Sequence, residues 1–324
     1  MADITQQAGR HLWTGAGIIV IDKPRGPSSH QVAAWVGKML GCQVGHSGTL
    51  DPQVSGVLLI MLGNAVRLAP HLLAHDKEYI CLMRLHGDVD REQILKVAGE
   101  FTGRLYQRPP RKSAVKRNLR IREVRKLDIL DIDGRLVLFK AECDAGTYVR
   151  SLCHHMGLVL GTGAHMIELR RTRSGSFGEE SMHTLHDVQD ACVAAKAGDR
   201  ASLAAMVLPV DGAVPELPTV VVRDTAVDAI CHGAKIANTG ITSVTAFNKG
   251  QTVAVLSQKK EFICLGKALN SSSAVKPGAS GLIVAPTSVF MVPGTYPPGW
   301  KKSCKPDKPE KRSGKRDSIK KIPI

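Results

Sequence analysis

The sequence of 324 residues lacks several features on which many protein functions depend. It has no glycine-rich dinucleotide fingerprint and no GxxxxGK[ST] phosphate loop, so nothing in it requires a nucleotide or redox cofactor. Its eight cysteines contain no CxxC pair, which argues against a zinc site and against a disulfide framework. No apolar run approaches the roughly 18 residues of a membrane span. The N-terminus also lacks a secretory signal pattern, which indicates an intracellular protein.

Acidic residues are scarce relative to basic ones. The formal net charge is +15, which favours an acidic partner and most simply a nucleic acid. Residues 104–126 hold ten Lys and Arg against one acid, and residues 301–324 hold ten against three. The second segment is poor in apolar residues and predicts a disordered tail, whereas the first leads into a structured segment.

Local patterns predict a mixture of hairpins and helices. The apolar run 57–62 indicates a buried strand, and a helix is expected from Ser28 or Ser29 to just before Gly41. Asp133-Gly134 between two alternating segments is a strong hairpin signal. This mixture favours an α+β fold over a regular alternation of parallel strands and helices.

Composition divides the chain into four parts. Residues 15–210 carry the mixed helices and strands, and the three prolines of LPVDGAVPELP indicate a junction. Residues 218–300 predict a compact, mostly β module. A short extension, 1–14, precedes these parts, and the basic tail, 301–324, follows them.

Asp51 is the most informative polar residue. It lies in GHSGTLDPQVSGVL, where glycines permit a tight backbone path and Pro52 restricts Asp51 to extended or turn conformations. A carboxylate at such a place either caps a turn or takes part in chemistry. The residue types alone favour the cap.

Other polar residues also allow a chemical and a structural interpretation. Arg150 begins a predicted helix, where a cation is unfavourable unless a carboxylate or phosphate faces it. Tyr79, in the motif KEY, starts a strand and by residue type alone belongs to the core. His71 and His75 have i, i+4 spacing but no evident third ligand, so we predict no metal site. A basic run on a later strand indicates a solvated face or a phosphate contact: Arg170, Arg171 and Arg173.

Four segments together resemble the TruB-type pseudouridine synthases. They are DKPRGPSSHQV, GHSGTLDPQVSGVL, KEY and AGTYVRSLCHHMGLVLGTGAHMIELRRTRSG, in the order and spacing of that family. QRPPRKSAVKRNLRIREV and the end of the fourth segment resemble the dyskerin branch, which works within H/ACA guide-RNA particles. The resemblance extends from about Gly17 to Trp300. It implies a mixed-sheet catalytic domain followed by a PUA-like RNA-binding module.

The resemblance also implies roles for individual residues. Asp51 is expected to be the catalytic aspartate in the isomerisation of uridine, as a nucleophile or as a base. Tyr79 is expected to stack on the target base, and Arg150 to pair with Asp51 in a dry pocket. The remaining expected pocket residues are Tyr148, Leu169, Lys23 and His46. The reaction implies no cofactor and no metal.

Two regions are expected to contact RNA. One is the basic block 104–126, and the expected contacts within it are Arg111, Lys112, Lys116 and Arg117. The other is HGAKIANTG, residues 232–240, which resembles the stretch where this family grips the ACA end of the guide RNA. Gly233 permits close backbone approach there, and Ala234 follows it.

The partners are implied by the resemblance alone. They are an H/ACA guide RNA, a substrate rRNA or tRNA, a small zinc-ribbon protein, a β-barrel protein and a kink-turn-binding ribosomal-type protein, with no membrane. The short extension and tail look archaeal and indicate a cytoplasmic location, or a nucleolar one if the source is eukaryotic.

Two other functions remain open. One is a stand-alone enzyme that modifies the T-loop uridine of tRNA, although the RNA-gripping insertion of such enzymes is not found between Tyr79 and Asp144. The other is a non-catalytic RNA-binding scaffold, against which the presence of Asp51, Tyr79 and Arg150 argues.

Overall fold

The computed structural model describes residues 12–109, 118–214, 217–276 and 278–299. Arg111, Lys112, Lys116 and Arg117 lie outside the described residues, as do residues 1–11 and the basic tail 301–324. Within the described ranges, no helix has the length and apolar character needed to cross a membrane.

The first part of the chain forms a mixed sheet of ten strands with helices around it. In spatial order the main path is β10-β1-β3-β8-β4-β7-β6-β5, with β2 paired to β3 and β9 paired to β8. The strands are β1 Gly17–Lys23, β2 Val44–Ser47, β3 Ser55–Leu62, β4 Lys77–Leu85, β5 Gly103–Gln107, β6 Arg120–Asp133, β7 Leu136–Cys143, β8 Ala164–Ser174, β9 Phe177–Gly178 and β10 Met182–His183. The helices are α1 Ser29–Leu40, α2 Ala69–Ala74, α3 Arg91–Glu100, α4 Val149–Val159, α5 Leu185–Lys196 and α6 Ala201–Met206.

Local chemistry sets the bounds of α1. The Ser28 hydroxyl accepts a hydrogen bond from the Gln31 backbone, and the Gln31 side chain accepts one from the Ser28 backbone, which forms a capping box. Gly41 ends the helix at a φ of +67°, in the left-handed region that glycine adopts easily. The helix predicted between Ser28 or Ser29 and Gly41 is confirmed.

The sheet consists of two halves that meet between β3 and β8. The parallel ladder there has two register pairs, Ser55 with Arg170 and Gly56 with Arg171, which we call the seam. Helices α1 and α5 pack on the half that contains β1 and β3, whereas α3 and α4 pack on the half that contains β4 and β8.

Arginine side chains also cross the seam. Arg170 donates hydrogen bonds of 3.0 and 3.1 Å to the two carboxylate oxygens of Asp22 on β1. Arg25, just after β1, lies 3.9 Å from Glu168 on β8. Backbone and side chains therefore share the task of joining the two halves.

The last part of the chain is a separate six-stranded sheet in the order β12-β16-β15-β14-β11-β13. Its strands are β11 Thr219–Val222, β12 Ile236–Ala237, β13 Ile241–Val244, β14 Thr252–Leu256, β15 Phe262–Ala268 and β16 Leu282–Val289, and its helix is α7 Asp224–Cys231. The predicted fold class, a mixed-sheet α+β part followed by a small, mostly β module, is confirmed. The helix α7 was not expected from the sequence.

An apolar cluster joins the two sheets. Residues on one face of β1 and β3 belong to the same buried cluster as Phe262, Leu265 and Phe290 of the second sheet. The other face of β1 and β3 packs into the main core with the helices. Strands β1 and β3 are therefore covered on both faces, which explains why the run 57–62 is continuously apolar.

Candidate active site

Asp51 and Arg150 form an ion pair at the seam. Asp51 lies in the loop between β2 and β3 (residues 48–54, the Asp51 loop), and Arg150 lies in the first turn of α4. Among the described residues, only Arg150 donates a hydrogen bond to the Asp51 carboxylate. The carboxylate does not cap its own loop there, and the unfavourable position of Arg150 at a helix N-terminus is explained by this partner.

The ion pair is not in a dry pocket, contrary to the sequence-based expectation. The side chains of Asp51 and Arg150 are 55% and 44% exposed. At this exposure water screens the attraction, so the pair contributes about 1 kcal/mol or less to stability. Its main effect is to orient the carboxylate.

Buried side chains hold the backbone of the Asp51 loop in place. Ser29 is fully buried, and its hydroxyl bonds to both the Leu50 carbonyl (3.0 Å) and the Leu50 N–H (2.8 Å). The buried Lys23 ammonium donates to the carbonyls of Val54 (2.8 Å) and Pro52 (3.4 Å). The residues on both sides of Asp51 are thus anchored while its carboxylate faces solvent.

Burial lowers the pKa of Lys23, and the nearby Asp51 charge opposes that shift. Lys23 nevertheless lacks a carboxylate at ion-pair distance among the described residues. Its ammonium also donates to the Pro24 carbonyl at 2.8 Å, so Lys23 ties the Asp51 loop to the segment that follows β1.

Three further residues expected in the pocket lie on β4, on β8 and just before α4. Tyr79 on β4 is half-buried, and burial raises the pKa of its phenol, with the Asp51 charge acting in the same direction. Leu169 on β8 is buried opposite Cys81 of β4. Tyr148 precedes α4, where its N–H donates to the Gln107 side chain at 2.9 Å. Tyr79 is therefore close enough to Asp51 for the charge of the carboxylate to act on its phenol.

His46 lies on β2, beside the loop. Its ring makes an edge contact with His30, with 4.7 Å between the ring centroids. Its Nδ1 atom is buried and has no hydrogen-bond partner among the described residues. Burial lowers the pKa of His46, and the neighbouring His30 and Arg171 side chains act in the same direction. His46 is consequently neutral near pH 7.

The basic run on β8 contains a residue whose place the sequence did not reveal. Arg170 pairs with Asp22 and Glu179, and Arg173 lies 3.4 Å from Glu142. Arg171, by contrast, is 1% exposed. The prediction of a solvated face or a phosphate contact is wrong for Arg171. The period of two along a strand was an available signal, since Arg171 shares a face of β8 with the buried Leu169.

The predicted RNA-contact residues of the second module lie at the end of α7. Gly233 adopts a φ of +88°, which only glycine tolerates readily. Ala234 lines a depression of about 410 Å³ together with Arg223, Lys235 and Thr239. This depression is separate from the Asp51 site. Among the described residues, no three His, Cys, Asp or Glu side chains converge as metal ligands would.

Three family models together match most of the chain. Residues 38–149 match the N-terminal domain of the TruB family pseudouridylate synthases, residues 150–215 match the C-terminal domain of tRNA pseudouridylate synthase B, and residues 218–290 match the PUA domain. The fold and the site thus define a pseudouridine synthase with an appended PUA domain.

Curated relatives and solved structures agree with these models. The chain is 49% identical over 288 residues to "Probable tRNA pseudouridine synthase B" of Methanothermobacter thermautotrophicus, covering 88% of this chain and 89% of that protein. The corresponding protein of Methanosarcina barkeri is 47% identical, with 88% and 86% covered. The chain belongs to the TruB family, as the sequence predicts.

Two solved structures are similar over most of their length. One is an H/ACA RNP bound to a substrate RNA containing 2′-deoxyuridine, at 44% identity and a TM-score of 0.80, with 88% of each chain covered. The other is a Cbf5-Nop10-Gar1 complex, at 47% identity and a TM-score of 0.80, with 87% of each chain covered. The predicted resemblance to the dyskerin branch is confirmed.

Proposed function

We propose that this chain is the catalytic subunit of an H/ACA-type RNA-guided particle that isomerises specific uridines of rRNA to pseudouridine. The observation that carries the proposal is the Asp51–Arg150 ion pair beside Tyr79, in a chain of the TruB family. A site that isomerises a base needs a carboxylate held in a fixed direction and an aromatic ring on which the base can stack.

The reaction requires only groups that this chain supplies. The C1′–N1 bond of uridine breaks, the uracil turns, and C1′ bonds to C5, while C5 loses a proton and N1 gains one. Asp51 acts on the sugar as a nucleophile or as a base, and Arg150 sets the direction of its carboxylate. The ring of Tyr79 and the side chain of Leu169 hold the base while it turns.

The partners are part of the proposal. The similar solved structures are an H/ACA RNP with substrate RNA and a Cbf5-Nop10-Gar1 complex. We extend this to the present chain, with a guide RNA, a zinc-ribbon protein, a β-barrel protein and a kink-turn-binding protein as partners in the cytoplasm. The basic block 104–126 and the depression beside Ala234 are the proposed contacts for the guide RNA.

A second candidate function is supported by the names of the relatives. Two curated relatives covering 88% of this chain are named probable tRNA pseudouridine synthase B. Guide-independent modification of tRNA by the same Asp51 site is therefore the alternative.

The test maps pseudouridine in RNA incubated with the wild-type chain and with Asp51→Asn. Each protein is given an rRNA fragment with and without guide RNA and partner proteins, and a tRNA alone. Asp51→Asn keeps the shape of the side chain but removes its charge and basicity, so turnover should fall at least about a thousandfold, or roughly 4 kcal/mol. RNA affinity should not change.

Asp131→Asn is the matched control, because Asp131 is exposed on β6 and, within the described part of the chain, its carboxylate accepts a hydrogen bond only from the neighbouring Ile132 N–H. Modification that needs the guide supports the H/ACA proposal, whereas modification of tRNA alone supports the second candidate. Equal yields from wild type and Asp51→Asn at equal RNA occupancy would refute catalysis by Asp51. RNA binding without any product would identify a scaffold.

A further inference from the structure

Arg171 is a buried cation that has no carboxylate partner in the part of the chain that the structure describes. It is 1% exposed, and no described Asp or Glu lies within ion-pair distance of it. Its Nε donates to the Val57 carbonyl at 2.7 Å, and its Nη2 donates to the Gly48 carbonyl at 3.3 Å. Gly48 begins the Asp51 loop, and Val57 lies just beyond its end. One guanidinium group therefore bonds to the backbone at the start of this loop and in the strand that follows it.

The register of the sheet places Arg171 between the two halves of the site. On one side it pairs with Gly56 of β3, directly after the Asp51 loop. On the other side it pairs with Tyr79 of β4. The Arg171 side chain also interacts with the Tyr79 phenol and counteracts the effect of burial on the pKa of that group. Arg171 thus contacts both the segment that carries Asp51 and the proposed base-stacking residue.

Two glycines allow the loop to approach Arg171 closely. A Cβ on Gly56 would lie 2.1 Å from the Arg171 carbonyl oxygen, a distance that no side chain tolerates. Gly48 has a φ of +82°, and a Cβ there would lie 3.4 Å from Arg171 Nη1. The chain thus follows a path that only these glycines permit, and that path brings the Gly48 carbonyl to the guanidinium group.

We propose that Arg171 is a positioning residue that sets the location of the Asp51 carboxylate relative to the Tyr79 ring. Asp51 and Arg150 are both half-exposed, so their ion pair does not fix the loop by itself. The forked guanidinium supplies several donors in one plane, which a lysine ammonium at the same place does not. This inference rests on the proposed function, because it concerns the geometry of the same site.

The test compares the single-turnover rate, the RNA dissociation constant and the thermal midpoint of wild type, Arg171→Lys and Arg171→Met. Arg171→Lys keeps the buried charge but loses the fork. At saturating enzyme, and at a temperature well below its thermal midpoint, we expect its single-turnover rate to fall about 10- to 100-fold. Small displacements of catalytic groups have effects of this size. Its RNA dissociation constant should stay within about twofold, and Arg171→Met should be slower still.

Arg173→Lys is the control on the same strand, because Arg173 lies beside the carboxylates of Glu142 and Glu78, which a lysine can also face, and should keep its rate within about twofold. The inference is overturned if Arg171→Lys is as fast as wild type, if its loss of rate follows a loss of RNA affinity, or if it no longer folds. The last outcome would assign Arg171 to folding alone. Failure of the proposed function has a different signature, since the wild-type chain would then form no pseudouridine on any RNA.

Discussion

At the scale of single residues, the Asp51–Arg150 pair orients a carboxylate while contributing little to the free energy of unfolding. Both side chains are about half-exposed, so Arg150→Met should lower the free energy of unfolding by about 1 kcal/mol or less. Turnover should nevertheless fall at least about a hundredfold, because the carboxylate loses the group that aims it. Urea denaturation and single-turnover assays measure the two effects.

Arg135→Met is a suitable comparison, since it breaks an exposed pair with Asp88 and should leave turnover unchanged. A loss of several kcal/mol in Arg150→Met with turnover intact would show that the pair stabilises the fold and takes no part in catalysis.

Lys77 is a buried cation next to Arg171, and it predicts a pH dependence of stability. Its pKa is lowered to about 7, chiefly by burial and also by the nearby Arg171 charge, while Asp76 and Cys143 oppose the shift. In the unfolded chain its pKa is near 10.5. Between these values the unfolded state binds one more proton than the folded state, so stability rises with pH by up to about 1.4 kcal/mol per unit. Below pH 7 both states are protonated and the contribution is flat.

Lys77→Met should remove this rise, because methionine is apolar and has nothing to titrate. Unfolding free energies at pH 6.5, 8 and 9.5 provide the measurement, and Lys38→Met, an exposed change at the end of α1, serves as the control. Identical pH slopes for wild type and Lys77→Met would contradict a lowered pKa for Lys77.

At the scale of elements, the parts set by local chemistry could be predicted from the sequence. The bounds of α1 follow from the capping box and Gly41, and the hairpin between β6 and β7 turns at Gly134, with a φ of +52°. Parts that depend on distant pairing were not predictable. Strand β10 pairs with β1 in parallel, and helix α5 begins only after this strand, at Leu185.

The site was predictable to a similar degree. The resemblance supplied Asp51, Arg150 and Tyr79, and the structure brings these three together. The exposure of the ion pair depends on how α4 meets the loop, which no local pattern encodes. The burial of Arg171 depends on its neighbours on β3 and β4. The basic run alone therefore led to the wrong prediction that Arg171 is solvated or contacts a phosphate.

At the scale of the whole molecule, the apolar cluster shared by the two sheets affects whether the first part of the chain is stable without the second module. From the sequence, a protein truncated near residue 212 is expected to stay soluble. The structure adds that truncation uncovers one face of β1 and β3, which packs with Phe262, Leu265 and Phe290. Each fully buried side chain of this size contributes about 1.5–3 kcal/mol. A protein ending at residue 214 should therefore melt at a lower temperature than the full chain and self-associate.

Circular dichroism and light scattering on both proteins provide the measurements for this prediction. The full chain carrying Phe290→Ala is an intermediate case, which should melt lower without self-association. A truncated monomer with the melting temperature of the full chain would show that the cluster contributes little to stability.

The seam has a consequence for how such a site can change over evolution. The backbone joins the halves through two register pairs, while Arg25, Arg150, Arg170 and Arg171 reach across from one half to the other. The alignment of Asp51 with Tyr79 is thus determined largely by side chains, and side chains can be replaced one at a time. Each half of the sheet can keep its own ladder intact during such replacements. A lineage could therefore retune the spacing of its active site by point substitutions, without inventing a new fold.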